Sequence, residues 1–219
     1  MRRKSQIVLA ITFMVAAPVS FSYIYICEIV QQEIRSTHEA AAELTSELAR
    51  LANNAAPELT SAQNDPDALR RTIAYYLSTD SNLNAMLESV VGAFRYVYDA
   101  SIVDAGGKVI LHTDPDLIGN QVSERPEFQL LQNADFRRQL RMVYNPPNIY
   151  EVRLPLQLNG APFGSVRLGI NTLFIRSEVT PRLRHAVIIS GIAILLSLLL
   201  AAGLSHIALG QPSLAGESG

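Results

Sequence analysis

Two long apolar runs lie near the two ends of the chain and enclose a more polar stretch, residues 28–185. The first run extends from Ile7 to Cys27 and the second from Ala186 to Leu209, and neither contains an acidic or a basic side chain. Each provides the ~20 residues that a helix needs to cross the hydrocarbon core of a bilayer. The pattern predicts two transmembrane helices, residues 7–27 and 186–209, with one domain between them. Short cytoplasmic ends, residues 1–6 and 210–219, complete this organisation.

The charges beside the first run predict its orientation. Arg2, Arg3 and Lys4 precede it directly, and such residues are retained on the cytoplasmic side during insertion. The N-terminus is therefore expected inside the cytoplasmic (inner) membrane and the central domain outside it. Arg182 and Arg184, before the second run, weigh against this orientation. The first run is longer than the ~7–15 residues of a signal-peptide core, which favours a retained anchor.

The first half of the central domain has the periodicity of helices. Residues 31–57 carry apolar or small side chains at spacings of three and four: Ile34, Thr37, Ala41, Leu44, Leu48, Leu51 and Ala55. This short heptad pattern fits packing within the chain and equally fits a dimer seam through Leu44, Leu48 and Leu51. A further helix is expected to start at Asp65-Pro66, with Asp65 as N-cap and Pro66 at the first helical position, and another is expected after Asp80.

The second half changes to the period of strands. Residues 98–103 and 108–112 form one predicted hairpin around the turn Asp104–Gly107, and residues 150–158 and 162–170 form another around Asn159-Gly160. Between the hairpins lies a long loop with helical pieces at 126–131 and 135–143. Residues 172–185 are predicted to be helical and to lead into the second apolar run. The predicted fold class is α+β, with a long N-terminal helix and an antiparallel sheet between two transmembrane helices.

Composition excludes several classes of function. The net charge is −2 and no basic stripe appears, which argues against nucleic-acid binding. Cys27 is the single cysteine, so no disulfide forms within the chain and the domain depends on its own core. No Cys/His ligand set and no Ser/His/Asp arrangement stands out. We therefore expect no metal site, no cofactor and no catalytic residue in this chain.

A set of short motifs in the second half resembles a known family of sensors. Val103-Asp104, Gly106-Gly107, His112-Thr113-Asp114-Pro115 and Ile118-Gly119 follow one another in order, and residues 156–169 match the closing hairpin of the same family. In this order, between two apolar runs, they resemble the single-module extracytoplasmic Cache domain. This PAS-like fold is found in bacterial histidine kinases, chemotaxis receptors and cyclic-dinucleotide enzymes. The resemblance implies a small-molecule ligand held between the sheet and the loops that cover one of its faces.

The C-terminus departs from that family. Such receptors continue into a HAMP linker and a signalling domain, whereas residues 210–219 show no heptads, no phosphoacceptor-type histidine and no glycine-rich nucleotide lid. We expect no kinase activity within these residues, and histidine kinase activity only where the chain is a fragment of a longer receptor. The resemblance makes the chain the input half of a two-component-type receptor. Its partner is then a cytoplasmic kinase or other output domain, in the same receptor or in another protein.

Arginine and tyrosine side chains in and after the long loop are the candidate ligand contacts. They are Arg125, Arg141, Tyr144, Tyr150 and Arg153. An arginine fork beside tyrosine hydroxyls suits a carboxylate, because the guanidinium offers two parallel charge-assisted donors. Arg141 and Tyr150 are favoured since they bracket the loop as it enters the third strand, and the alternative for each arginine is a solvated helix face. His112 is a further candidate, as a ligand contact, a pH-sensitive group or a simple surface residue at a strand end.

The second apolar run carries small side chains every four residues. Ala193, Ser197 and Ala201 form a ridge of the kind that lets two membrane helices approach closely. Together these features predict a homodimeric membrane sensor that binds a small, anionic solute outside the membrane and transmits a helix shift through the second span. The alternative is a membrane-anchored protein-interaction module that binds no solute and docks an envelope protein through the heptad face.

Overall fold

The structure is a computed structural model that describes residues 2–56, 66–158 and 161–210. Its elements, in chain order, are α1 (Arg2–Ala55), α2 (Pro66–Thr79), α3 (Ser81–Ala93), β1 (Val97–Asp104), β2 (Val109–His112), a 3-10 helix (Pro115–Leu117), α4 (Phe128–Gln132), α5 (Phe136–Tyr144), β3 (Ile149–Leu158), β4 (Ala161–Asn171) and α6 (Thr172–Gly210). The predicted Asp65 cap, the Asn159-Gly160 turn and residues 211–219 lie outside the described residues.

The chain divides into two compact units. One comprises the two ends, Met1–Val30 and Val179–Gly219, and the other is the central domain, Gln31–Glu178. In the sequence the first apolar run and the heptad pattern predict two helices, but the structure joins them in the single helix α1. The link between the two patterns is Glu28-Ile29-Val30. It has no glycine or proline, so no residue there breaks the helix. In the same way α6 continues without a break from the end of β4 through the second apolar run.

The apolar runs lie in two long helical segments, Leu9–Ala55 and Thr172–His206, each of which is long and apolar enough to cross a membrane. Phe13 and Phe21 are 74% and 73% exposed, and Leu195 and Leu199 are 58% and 61% exposed. Exposed apolar side chains of this kind are typical of helices that contact lipid or another protein.

The ridge of small residues is the less exposed side of the second apolar run. Ala201 is only 5% exposed, while Ala193 and Ser197 are half-buried and the leucines between them are exposed. The Ser197 hydroxyl donates a hydrogen bond to the carbonyl of Ala193 at 2.9 Å. The small side chains therefore mark the face of the span that lies closest to other residues of the same unit.

The central domain is built on a four-stranded antiparallel sheet with the order β2-β1-β4-β3. Both predicted hairpins are present, as β1 with β2 and as β3 with β4. The long β1–β4 pairing, which runs from Val97 opposite Ile170 to Asp104 opposite Gly164, joins the two hairpins into one sheet. The predicted α+β class with an antiparallel sheet is therefore confirmed for the described residues.

Alternate positions of the strands form an apolar face. Ala100 and Ile102 on β1, and Val166 and Leu168 on β4, are completely buried. Because side chains alternate between the two faces of a strand, these positions share one face of the sheet. Phe128 of α4 belongs to the same core, since its ring meets the Tyr150 ring edge-on at 6.4 Å between centroids.

The heptad side chains of α1 are buried within the chain itself. Ile34, Ala41 and Leu48 are 0% exposed, and Leu44 is 9% exposed. The His38 ring, on the same helix, lies 5.6 Å from the Phe128 ring, which places this part of α1 beside the core. Of the two interpretations that the sequence leaves open, the structure of the single chain therefore favours packing within the domain at these positions.

The burial of Leu48 yields a test of that packing. We expect Leu48→Ala to lower the free energy of unfolding of the domain by about 2–5 kcal/mol, the usual cost of removing a fully buried leucine. The midpoint of thermal unfolding, followed by the fluorescence of the tyrosines because the chain contains no tryptophan, measures this change. Glu39→Ala, at an exposed position of the same helix, is the control and should change it little. A wild-type midpoint that rises with protein concentration, with no intrinsic effect of Leu48→Ala, would instead indicate a seam between copies.

Candidate functional site

The face of the sheet opposite the apolar core is polar and charged, and we call it the charged face. The strand register arranges it in rows. One row across the sheet contains His112, Ser101, Arg167 and Arg153, and the next contains Asp99, Gly169 and Glu151. Basic and acidic residues therefore occupy neighbouring rows. Most of these side chains are buried: Asp99 is 8% exposed, His112 7%, Glu151 3% and Arg167 9%.

Arg125, in the segment before α4, covers part of the charged face. Its Nη1 and Nη2 atoms donate to Oδ1 and Oδ2 of Asp99, both at 2.7 Å. This two-pronged bond raises the pKa of Arg125, and burial of the guanidinium opposes the shift. Gly169 makes the arrangement possible, because a Cβ atom there would lie 2.2 Å from Asp99 Oδ1 and 2.7 Å from Arg125 Nη1. The guanidinium therefore occupies the space that any other residue would fill at position 169.

Glu151 is shared by two further arginines. Arg153 Nε donates to Glu151 Oε1 at 2.9 Å, and Arg167 Nε lies 3.6 Å from the same oxygen. Arg167 Nε also donates to the hydroxyl of Ser165 at 3.2 Å. Glu151 therefore has one close partner, Arg153. Its contact with Arg167 is longer, which leaves Arg167 incompletely paired.

Arg167 carries a buried hydrogen-bond donor, Nη1, for which the described residues offer no acceptor. Among the described residues, its Nη1 atom has no hydrogen-bond partner although it is shielded from solvent. Burial lowers the pKa of Arg167, and the nearby Arg153 lowers it further. Two carboxylates, Glu151 and the exposed Glu124, act in the opposite direction and raise it. An unpaired buried donor costs about 1–3 kcal/mol, and more for a charged group. An anionic acceptor would remove that cost, so the side chain is poised to bind one.

A short strap, residues 121–127, crosses the charged face. Gln121 pairs with Lys108 beside the edge strand β2, and the Pro126 carbonyl accepts from the backbone N–H of Glu151 on the opposite edge strand at 2.9 Å. The strap therefore links the two edges of the sheet, and the Asp99–Arg125 pair ties it, near its C-terminal end, to β1.

His112 lies at the far end of the same row and is nearly inaccessible. Its Nδ1 atom accepts from the backbone N–H of Asp114 at 2.7 Å, which places the proton of the neutral ring on Nε2, 3.7 Å from Asp99 Oδ2. Burial lowers the pKa of His112, Asp99 and Asp114 oppose the shift, and Arg125 adds to it. The neutral ring is thus the form that the folded domain favours.

The chemistry that this arrangement supports is anion binding. Three arginines face two buried carboxylates, and one exposed carboxylate, Glu124, lies close enough to influence Arg167. Within the described parts of the chain, no group of three or more His, Cys, Asp or Glu side chains is placed to hold a metal ion. A guanidinium with a free, buried N–H is a donor for a carboxylate or another planar anion.

The structure brings together three of the six ligand contacts predicted from the sequence. Arg125, Arg153 and His112 all belong to the charged face. The other three lie elsewhere: Arg141 is exposed in the last turn of α5, Tyr144 packs its ring 5.3 Å from the Arg176 guanidinium, and Tyr150 is buried against Phe128. Tyr150 faces the core because it alternates with Glu151 along β3.

Asp99, Glu151 and Arg167 are the residues of this site that the sequence reading misses. They lie on strands, whereas the predicted ligand contacts lie mainly in the loop and at the start of β3. One sequence pattern does mark them. Polar residues alternate with apolar ones along residues 99–102 and along residues 165–168, which indicates that one face of the central strands is polar.

The comparisons with known proteins add little to this geometry. No family model matches the sequence, and no curated protein matches it. Among solved structures, the chain is similar to an extracellular ligand binding receptor from Desulfohalobium retbaense DSM5692, with a TM-score of 0.33 and 19% sequence identity over 65% of this chain. The match covers 27% of that receptor chain, so this chain spans about a quarter of its length. The assignment of the site rests on its own residues.

Gly169→Ala tests whether the space above Gly169 holds the strap in place. The added methyl group would collide with both Asp99 and Arg125, and we expect a loss of about 1–3 kcal/mol in the free energy of unfolding. Cleavage of the strap after Glu124 by a glutamate-specific protease should accelerate in the folded protein. Gly92→Ala is the matched control, because a Cβ at Gly92 meets nothing within 4 Å. Unchanged stability and unchanged cleavage in Gly169→Ala would contradict the arrangement.

The buried neutral His112 predicts a pH dependence of stability. Its folded pKa lies below the unfolded value of about 6.5. The unfolded chain therefore binds the proton first, so the domain keeps its full stability above pH ~6.5 and loses it as the pH falls through the window below that value. His112→Asn retains an acceptor for the Asp114 N–H and removes the titration. Unfolding midpoints of the two proteins measured across this range should diverge at low pH, and parallel curves would contradict the assignment.

Proposed function

We propose that this chain is the ligand-sensing part of a two-span membrane receptor, and that its central domain binds a small anionic solute at the charged face. The observation that carries the proposal is Arg167, whose Nη1 donor is buried and unpartnered among the described residues. A buried donor of this kind destabilises the empty domain, whereas a bound carboxylate satisfies it. The ligand then stabilises one conformation over the other, as any signal-transmitting ligand must.

Entry of the solute requires movement of the strap. Arg167 Nη1 is shielded from solvent, and the nearby Asp99–Arg125 pair fastens the covering segment. In this proposal an anion enters as the strap lifts, competes with Asp99 for Arg125 and supplies the missing acceptor of Arg167. The strap closes again over the bound solute. Arg153, which is 32% exposed in its side chain, stands at the rim as a first point of attraction.

The strand that carries Arg167 leads directly into α6. Asn171 ends β4 and Thr172 begins the helix, whose first residue is completely buried. Thr172 is tied to the start of β3, since its N–H donates to the Asn148 carbonyl at 3.0 Å and its hydroxyl accepts from the Asn148 N–H at 3.1 Å. A movement of β4 would therefore also move the start of α6, because these hydrogen bonds hold the junction together. This continuity supports transmission of the binding event along the second span.

The membrane location belongs to the same proposal. The exposed apolar surfaces of both end helices support two membrane spans. The basic residues Arg2, Arg3 and Lys4 favour an N-terminus on the cytoplasmic side and a domain outside the inner membrane. The output of the signal would then be a cytoplasmic kinase or another effector, in the same receptor or in a partner protein. The chain itself acts by binding.

Ligand-dependent stability tests the anion site. The full chain in nanodiscs is heated with acetate, pyruvate, succinate or glutamate, and we expect at least one carboxylate to raise the unfolding midpoint by several degrees. A ligand at 100 times its dissociation constant adds about 2.7 kcal/mol. Arg167→Gln should abolish the rise, and Arg167→Lys, which keeps the charge, should retain part of it.

Arg138→Gln is the matched control, because Arg138 is an exposed arginine on α5 outside the charged face. It should leave the ligand-induced rise intact. If no carboxylate raises the midpoint of the wild-type chain, the proposal of a carboxylate ligand is wrong. If a carboxylate raises it equally in wild type and in Arg167→Gln, the anion binds elsewhere and the assignment of the charged face is wrong.

A further inference from the structure

A second concavity of the central domain shares no residue with the charged face. It lies between α2 and the first hairpin and has a volume of about 330 Å³. Arg70, Arg71 and Tyr75 line it from α2, Lys108 from the β1–β2 turn, and Ile118 and Phe163 complete the wall. We call it the basic cavity. Its volume is at the lower end of the range for small-ligand sites, about 300–1,000 Å³.

The basic cavity holds an excess of positive charge. Among the carboxylates whose side chains the structure describes, none lies within ion-pair distance of Arg70, Arg71 or Lys108. Asp104 also lines the cavity, but its Oδ1 accepts from the backbone N–H groups of Gly106 and Lys108 at 2.8 and 2.9 Å. That carboxylate therefore serves the turn. Three cationic side chains from two separate elements line one cavity, and the only carboxylate among its described lining residues, Asp104, is already engaged.

The remaining wall of the cavity is apolar and aromatic. Val109 and Phe163 are buried, at 2% and 3% exposed. Tyr75 and Ile118 lie at the opening and are 66% and 42% exposed. Exposed apolar side chains lie next to cations that form no ion pair with the described side chains. Such a wall fits a ligand with two unlike ends, one apolar and one anionic. A simple inorganic anion would leave the apolar wall unused, and a hydrocarbon would leave the cations unpaired.

We infer that the basic cavity is a binding site for a small aromatic carboxylate. The guanidinium groups of Arg70 and Arg71 bind the carboxylate, because planar forks match its two oxygens. Lys108 adds a point charge from the hairpin side. The ring of the ligand packs against Tyr75 and the apolar wall, where offset or edge-on aromatic contacts contribute beyond burial alone. This site is separate from the solute site at the charged face.

The test uses 4-fluorobenzoate and the full chain in phosphatidylcholine nanodiscs, followed by broadening of the fluorine NMR signal, with empty nanodiscs as the blank. We expect Arg70→Gln combined with Arg71→Gln to weaken binding by about tenfold or more, since charge-assisted hydrogen bonds are lost. The matched control combines Arg137→Gln with Arg138→Gln, an adjacent exposed pair on α5. It should leave the affinity within about twofold, as surface substitutions usually do. Neutral 4-fluorobenzamide should bind at least about tenfold more weakly.

Three outcomes would overturn the inference. One is absence of 4-fluorobenzoate binding to the wild-type chain. Another is an equal loss in the Arg70/Arg71 and Arg137/Arg138 variants, which would indicate a general effect of net charge. The third is binding that survives the Arg70/Arg71 change and is lost in Arg167→Gln. In that case the probe binds at the charged face, and the proposed solute site stands while the basic cavity does not.

Discussion

The Asp99–Arg125 ion pair is the interaction on which the rest of the site depends. It joins the central strand of the sheet to a segment 26 residues further along the chain, with two bonds of 2.7 Å. A buried carboxylate without this partner would be strongly unfavourable, and so would the buried arginine. The pair exists because Gly169 leaves room for it. Gly169, the strand register and the strap together enclose this face. Without them, the charged face of the sheet would be solvated.

The enclosed charges are not fully balanced against one another, and this imbalance gives the domain its proposed function. Asp99 pairs with Arg125 and Glu151 with Arg153. Arg167 is left with a longer contact and with an Nη1 atom that has no partner in the part of the chain that the structure describes. A domain selected for stability alone has no use for such a donor, whereas a sensor uses it to gain stability on binding. Arg167 lies four residues before the end of β4, so a ligand that binds it acts close to the start of α6.

The sequence predicts the elements of this fold well and its site only in part. The hairpins follow from strong local patterns, and the apolar runs follow from composition, so both are found without tertiary information. The continuity of α1 is not found in this way. The change from apolar to heptad periodicity looks like a boundary between two helices, although no residue there breaks the helix. Arg125, Arg153 and His112 are recovered as polar residues near a loop. Asp99 and Arg167 are missed because their importance comes from the β1–β4 register, which pairs residues about 70 positions apart in the chain.

Nitrogen NMR of the arginine side chains would test the central claim most directly. The guanidinium resonances of the full chain are recorded with and without the carboxylate that stabilises it most, and Arg167→Lys identifies the signal of Arg167. The account predicts that this signal shifts on saturation while those of the exposed Arg137 and Arg138 stay in place. A stabilising carboxylate that leaves the Arg167 signal unmoved would contradict the claim that the charged face is the binding site.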